Sequence, residues 1–159
     1  MAGEKIKVGG ILQERNLRLV GVVSAPDRPG LAAAVFQALA AVQVNVLFIV
    51  QSVDLEGYAH IQFCVTAEDL PTARGVAERV AAQIGGKMLV RDEPVALASV
   101  FGPDFRQRPG IAGRAFGALG SVGINILAVS TSISTVTCVI ADASFPQAVE
   151  ALKNVFDTP

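Results

Sequence analysis

The chain has 159 residues, 52% of them hydrophobic and 17% charged, and a formal net charge of −1. Such a composition supports a packed core and excludes a disordered chain, while the near-neutral balance excludes a broad basic field for nucleic acid or anionic membrane. One histidine and two cysteines far apart supply neither a metal site nor a Ser/His/Asp or Cys/His catalytic set.

No apolar run approaches the roughly 18 residues of a membrane-spanning helix. The first ten residues carry Glu4, Lys5 and Lys7 and lack the apolar core of a signal peptide. A soluble, cytoplasmic protein is expected, with Cys64 and Cys138 as buried small hydrophobes. The low charge content also predicts that part of the surface is covered by a dimer or a larger partner.

In chain order, residues 5–11 form a β-like segment with no adjacent partner. Residues 17–23 read as a strand, 24–30 as a polar turn, and 31–42 as a helix whose Leu31, Val35, Leu39 and Val42 fall on one stripe. A strand is predicted over 44–53, a turn over 54–57, a strand over 58–65, a helix over 70–84 and a strand over 87–90. Gly85 and Gly86 end that second helix.

The pattern then repeats. Residues 28–52 and 108–132 are identical at 11 of 25 positions at an offset of 80, including Arg-Pro-Gly, a phenylalanine and an asparagine in register. The second copy reads as a strand over 95–101, a turn over 102–110, a helix over 111–122, strands over 124–130 and 134–140, and a helix over 146–156. Its connection between those last two strands is about six residues shorter. Proline just ahead of each first helix suits a helix start, and Gly123 lies where the first helix of the copy must stop.

Copy one is therefore βαββαβ, and copy two lacks its fourth strand. The economical expectation is an α+β protein of two ferredoxin-like units, residues 12–93 and 94–159. Each has an antiparallel sheet with helices on one face, and the strand at 5–11 completes the second sheet, so that the units interlock.

That plan hosts many functions, so the sites decide. One tyrosine and no tryptophan argue against an aromatic RNA-reading face. There is no phosphate-binding GxxxxGK[ST] motif and no dinucleotide fingerprint, and Gly9-Gly10 reads as a bulge or bend. Catalytic residues, metal ligands and cofactors are accordingly expected to be absent, and His60 reads as structural or surface.

What remains is a loop running into a helix N-terminus in each copy, where free backbone N–H groups form an anion site. An α-carboxylate would sit on the amides of Gly30, Leu31 and Ala32, or of Gly110, Ile111 and Ala112. Asp27, Asn45, Gln51, Asn125 and Ser130 would read the ammonium and the ligand's other polar groups, with Asn45 and Asn125 placed beside the helix starts. The plainer alternative is that both asparagines only cap turns after the helices.

At these residues the sequence resembles the paired ACT domains of aspartate kinase over nearly its whole length. The shared features are Asp27-Arg28-Pro29-Gly30, the run from Asn45 to Gln51, the P-G-[VI]-A-x-x-x-F-x-A-L stretch from Pro109 to Leu119, Gly123-Ile124-Asn125-Ile126, and Ser130-Thr131-Ser132. The resemblance implies a non-catalytic, allosteric regulatory subunit, without the kinase catalytic part. Its implied effector residues are Asp27, Gly30, Leu31, Ala32, Asn45, Val46, Gln51, Asn125, Ile126, Ser130, Thr131 and Ser132.

The implied partners are an amino-acid effector, a second copy joined through the ACT units, and an aspartate kinase catalytic subunit. The family's effectors are threonine and lysine. Here Ile133 follows Ser132 where the family carries an acidic residue, which favours threonine. Gly102-Pro103-Asp104-Phe105 also stands where the family has a glycine-rich run. The alternative is a free-standing ACT-pair sensor or interaction protein with a different partner.

Overall fold

The computed structural model describes residues 3–103 and 105–159; Met1, Ala2 and Asp104 lie outside the described residues. In chain order the elements are β1 (Ile6–Lys7), β2 (Gly10–Pro26), α1 (Leu31–Ala41), β3 (Phe48–Val53), β4 (Tyr58–Thr66), α2 (Leu70–Ile84) and β5 (Lys87–Val90). They continue as β6 (Val95–Phe101), α3 (Ile111–Ser121), β7 (Ala128–Thr131), β8 (Thr135–Ala141), a 3-10 turn at Asp142–Ser144, α4 (Phe145–Val155) and β9 (Phe156–Asp157). Two units result: Asn16–Pro94, and the residues through Arg15 taken with Val95–Pro159.

In the unit Asn16–Pro94, β2 pairs with β4 on one side and β5 on the other, and β3 pairs with the far side of β4, all antiparallel. Alternation sends Val20, Val22, Ala59, Ile61, Phe63 and Val65 to one face. There they meet Leu31, Val35 and Leu39 of α1 and Ala73, Val76, Ala77, Val80 and Ile84 of α2. Phe36 of α1 stands edge-on to Phe63 with ring centroids 5.7 Å apart.

The other unit repeats the arrangement. Strand β7 lies on β8, β8 on β6, and β6 beside β2, whose residues through Arg15 belong to this unit. Ile111, Ala115 and Leu119 of α3 and Phe145, Ala148 and Leu152 of α4 pack on Ala96, Ala98, Val100, Val136, Cys138 and Ile140.

The N-terminal segment is tied in by backbone bonds. Gly9 N–H donates to Phe101 C=O at 2.7 Å and Val8 N–H to Asp157 C=O at 3.0 Å. The Arg15 guanidinium grips the Asp142 carboxylate at 3.0 and 3.3 Å and lies 4.9 Å from the Phe145 ring centroid.

Three features differ from the expectation. The segments expected at 5–11 and 17–23 are not two strands with a loop between them, because β2 runs unbroken from Gly10 to Pro26. The polar, exposed stretch Gln13-Glu14-Arg15-Asn16 reads as a connection, yet a strand pairs through its backbone and tolerates polar side chains where both faces meet water. The C-terminal helix stops at Val155, and buried Phe156 is extended (φ −118, ψ 139), forming with Asp157 a parallel pairing to Ile6 and Lys7.

The strands after α1 and α3 also begin later than expected, at Phe48 and Ala128. Val44 and Ile124 N–H still bond back to Leu39 and Leu119 C=O at 3.0 Å, and only Leu47 and Leu127 N–H reach the neighbouring strand, at Cys64 and Val139 C=O.

Candidate functional site: two helix starts and two edge strands

Each Arg-Pro-Gly turn ends on a glycine in the left-handed region, Gly30 at φ 95, ψ −2 and Gly110 at φ 90, ψ 0. A side chain there would be strained, so glycine is what allows the chain to turn straight into the helix. The first ladder bonds run from Ala34 N–H to Gly30 C=O and from Arg114 N–H to Gly110 C=O, both 2.9 Å.

The N–H groups of residues 31–33 and 111–113 therefore point ahead of the ladder. Neither helix has a side-chain cap bond or an acidic residue in its first turn. These donors, with the positive end of the helix dipole, suit an oxyanion.

Leu31 and Ile111 are 2% and 4% exposed and belong to the cores, so they offer a ligand only their backbone N–H. Ala32 and Ala112 are half-buried. Asp27 is exposed beside the first start, its N–H donating to Gly57 C=O at 2.9 Å. Its repeat counterpart is Gln107, so only the first start carries a carboxylate at that place.

The asparagines correct the sequence reading. Asn45 and Asn125 lie three residues beyond the helix C-caps Val42 and Val122, not beside the helix starts. An 11-residue helix is about 16 Å long, so Asn45 and the Gly30 amides occupy opposite ends of α1. The reason is topological: a strand that follows a helix begins where the helix ends. Val46 and Ile126, next in the chain, pack against the edges of the two cores.

Gln51 does lie toward the right end of the sheet. It pairs with Ile61, while Val53 and Ala25 both pair with Ala59, so the end of β3, the end of β2 and the start of α1 lie at one end of the sheet. Thr131, its repeat counterpart, pairs with Val136. Both side chains face the helix side, because directly paired residues share a face. Ser130 pairs with Thr137 on the other face. The Ser132 hydroxyl sits 2.6 Å from the Thr135 hydroxyl and accepts from Ser134 N–H, serving the tight β7–β8 turn.

Strands β3 and β7 are the outermost strands of their units. Ile49 and Val53 on one and Val129 on the other are exposed on that same helix-side row, and Ile133, in the turn past β7, is exposed as well. An edge with free backbone groups and a β-branched row is a template for another strand.

His60 is better placed than its sequence position shows. Its Nδ1 accepts from Ser24 N–H at 3.1 Å, and its Nε2 lies 2.9 Å from Asp54 Oδ2. Asp54 also accepts from Glu56 and Tyr58 N–H, each at 3.0 Å. The Tyr58 N–H and then His60 hold its carboxyl below the ordinary carboxylate value. The Asp54 turn is legible locally; its histidine partner on β4 and the bulge on β2 are not. Burial pushes the thiols of Cys64 and Cys138 up to about 12 and about 11, so neither serves as a nucleophile.

Among the described residues no group of three His, Cys, Asp or Glu is placed to hold a metal, and no helix is long and apolar enough to cross a membrane.

The ACT domain family matches residues 18–85, and a second ACT domain description matches residues 99–156. Aspartokinase of Mycolicibacterium smegmatis is 32% identical over 149 residues, which is 92% of this chain and 35% of that protein. Aspartokinase of Pseudomonas aeruginosa is 32% identical over 150 residues, 94% of this chain and 36% of that protein. The chain thus spans about a third of the length of these curated relatives.

The ligand-free regulatory subunit of aspartate kinase from Thermus thermophilus superposes with a TM-score of 0.84 at 30% identity, covering 94% of this chain and 99% of that one. Aspartate kinase from Synechocystis gives 0.87 at 30% identity, over 96% of this chain and 28% of that one.

Proposed function

The chain belongs to the ACT-domain family, as a pair of ACT domains of the aspartate kinase regulatory kind, and on that premise we propose that it is an amino-acid-binding allosteric subunit of an aspartate kinase. It performs no catalysis itself and acts in the cytoplasm. The observation that carries this reading is the pair of helix starts. Each has a left-handed glycine, uncommitted N–H donors and no acid in its first turn, which is what an α-carboxylate requires.

Asp27 supplies a partner for the ligand's ammonium at the first start. Threonine is favoured over lysine, since exposed Ile133 follows Ser132 and offers no charge to a second ammonium. Gln51 on β3, and Thr131 and Ser130 on β7, lie on the edge strands of their own units, where the ligand's own polar groups would be read.

Because Asn45 lies at the far end of its own α1, it meets a ligand on a helix start only if another ACT unit brings it there. The exposed edge strands support a homodimer that does so. A ligand bound between copies favours one arrangement of the copies over another, and that difference in affinity is the energy available to shift a catalytic partner.

The test is thermal unfolding of the chain against a panel of amino acids. Threonine is expected to raise the midpoint progressively with concentration. A panel that is flat both for the chain alone and with its catalytic subunit present overturns the reading.

A further inference from the structure

The chain's single histidine stands between two contacts that respond to protonation in opposite ways. Ser24 N–H can only donate, so the Nδ1 it meets at 3.1 Å must carry a lone pair. In the neutral ring the proton is then on Nε2, which donates to Asp54 Oδ2 at 2.9 Å. Both contacts are satisfied by that one tautomer. A proton added at Nδ1 strengthens the Asp54 contact as an ion pair and sets N–H against N–H at Ser24. The charged ring keeps Asp54 and gives up Ser24.

Ser24 is not an ordinary strand residue. It sits at φ 54 in a bulge where the β2–β4 register shifts between Val22 and Ala25. A non-glycine residue in that conformation persists only where its surroundings hold it. The same segment then runs through Pro26, paired with Tyr58, and Asp27, bonded to Gly57, into Gly30 and the free amides of α1. His60 therefore braces the bulge from which the first helix start departs, and Asp54 anchors the brace in the β3–β4 turn.

The cross-strand neighbour of His60 on β3 is uncharged Ser52. Near the ring the remaining charged groups are Glu56 in the turn, Asp27 and Arg28 past the end of β2, and Lys87 on β5 opposite Val23, all exposed, while Arg18 of β2 pairs with Val65, five residues along β4 from His60, and Glu14 and Arg15 precede Arg18 on β2. Asp54 is thus the charge in contact with the ring. The other unit has no histidine and cannot carry the device.

We propose that His60 is a pH-sensitive latch on the first helix start: neutral, it holds Ser24 in the bulge, and protonated, it releases residues 24–30 and weakens ligand binding on the α1 amides. The ligand half of this rests on the amino-acid reading above; the release of Ser24 does not.

The experiment follows the backbone amides of residues 24–33 by NMR from about pH 8 to pH 5, the range in which histidine changes charge, in the wild type and in His60→Asn. The asparagine amide oxygen can accept from Ser24 N–H and does not titrate in this range. The wild-type Ser24 and Asp27 amides are expected to move with one midpoint shared with the His60 ring, and those of His60→Asn to stay still. Amides that are still in the wild type, or that move equally in the variant, overturn the latch.

In the same two proteins threonine affinity is measured at both ends of the range. The expectation is about a fivefold or greater loss at low pH in the wild type only. A wild-type affinity independent of pH, with threonine bound, overturns the coupling to ligand. Amides that titrate as described, with a panel of amino acids flat both for the chain alone and with its catalytic subunit present, support the latch and sink the amino-acid reading alone.

Discussion

Gln43 and Gly123 hold the same position of the internal repeat and the same left-handed backbone, at φ 59 and φ 77. Each follows a C-cap with φ −105 and turns the chain out of its helix toward an edge strand. One copy meets the requirement with the residue suited to it, and the other holds a glutamine there against its preference.

Exchanging those residues has a defined sign. Gln43→Gly should stabilise the protein by about 0.5–1 kcal/mol, and Gly123→Gln should destabilise it by a similar amount. Denaturant midpoints that shift this way at unchanged slope would show it. A destabilised Gln43→Gly would mean that the glutamine side chain makes a compensating contact.

The glycines of α3 separate two roles. Gly110 precedes the helix at φ 90, and Gly113 lies within it with open space where a Cβ would go. Gly113→Ala should therefore gain about 0.5–1 kcal/mol from helix propensity. Gly110→Ala should lose about 1–2 kcal/mol from backbone strain, although nothing blocks its methyl group. Paired thermal melts test the contrast.

Ser99 is a buried polar residue of β6, and its hydroxyl lies 2.8 Å from that of Thr137 on β8. Ser99→Ala leaves the threonine hydroxyl without this partner and should cost about 1–2 kcal/mol. Adding Thr137→Val should recover much of the loss, since it removes the stranded hydroxyl. A double variant no more stable than the single one would show that Thr137 finds another partner.

Acid stability depends on Asp54. Its carboxyl is held below the ordinary carboxylate value, first by the Tyr58 N–H, then by His60. A depressed folded value means the contribution is present above the unfolded pKa and is lost as pH falls through the folded one. Asp54→Asn should thus flatten the stability profile below about pH 4. The check is the urea midpoint measured from pH 6 down to pH 2; a profile identical to the wild type contradicts it.

Much of the fold was legible because its signals are local. Pro29 and Pro109 before a left-handed glycine announce the two helix starts, and Gly85 ends α2 at the bound found, Ile84. The stripes Leu31, Val35, Leu39 and Ile111, Ala115, Leu119 are the buried faces of their helices, since 3.6-residue periodicity is written in the chain itself, whereas Val42 and Val122, expected to continue them, are exposed C-caps where the helix has already ended. The helix-start amides of the candidate site follow from the same local chemistry.

The remainder depended on partners distant in sequence. The continuity of β2 through Gln13–Asn16 and the pairing of Phe156 with Ile6 are backbone interactions, the bond from Ser24 N–H to the His60 ring joins backbone to a distant side chain, and side-chain hydropathy does not encode which strand a peptide group will meet. Asn45 shows the consequence for function. Its residue type and its place after the helix are plain in the sequence, but the antiparallel return of the chain sets it a helix length from the amides it was expected to join.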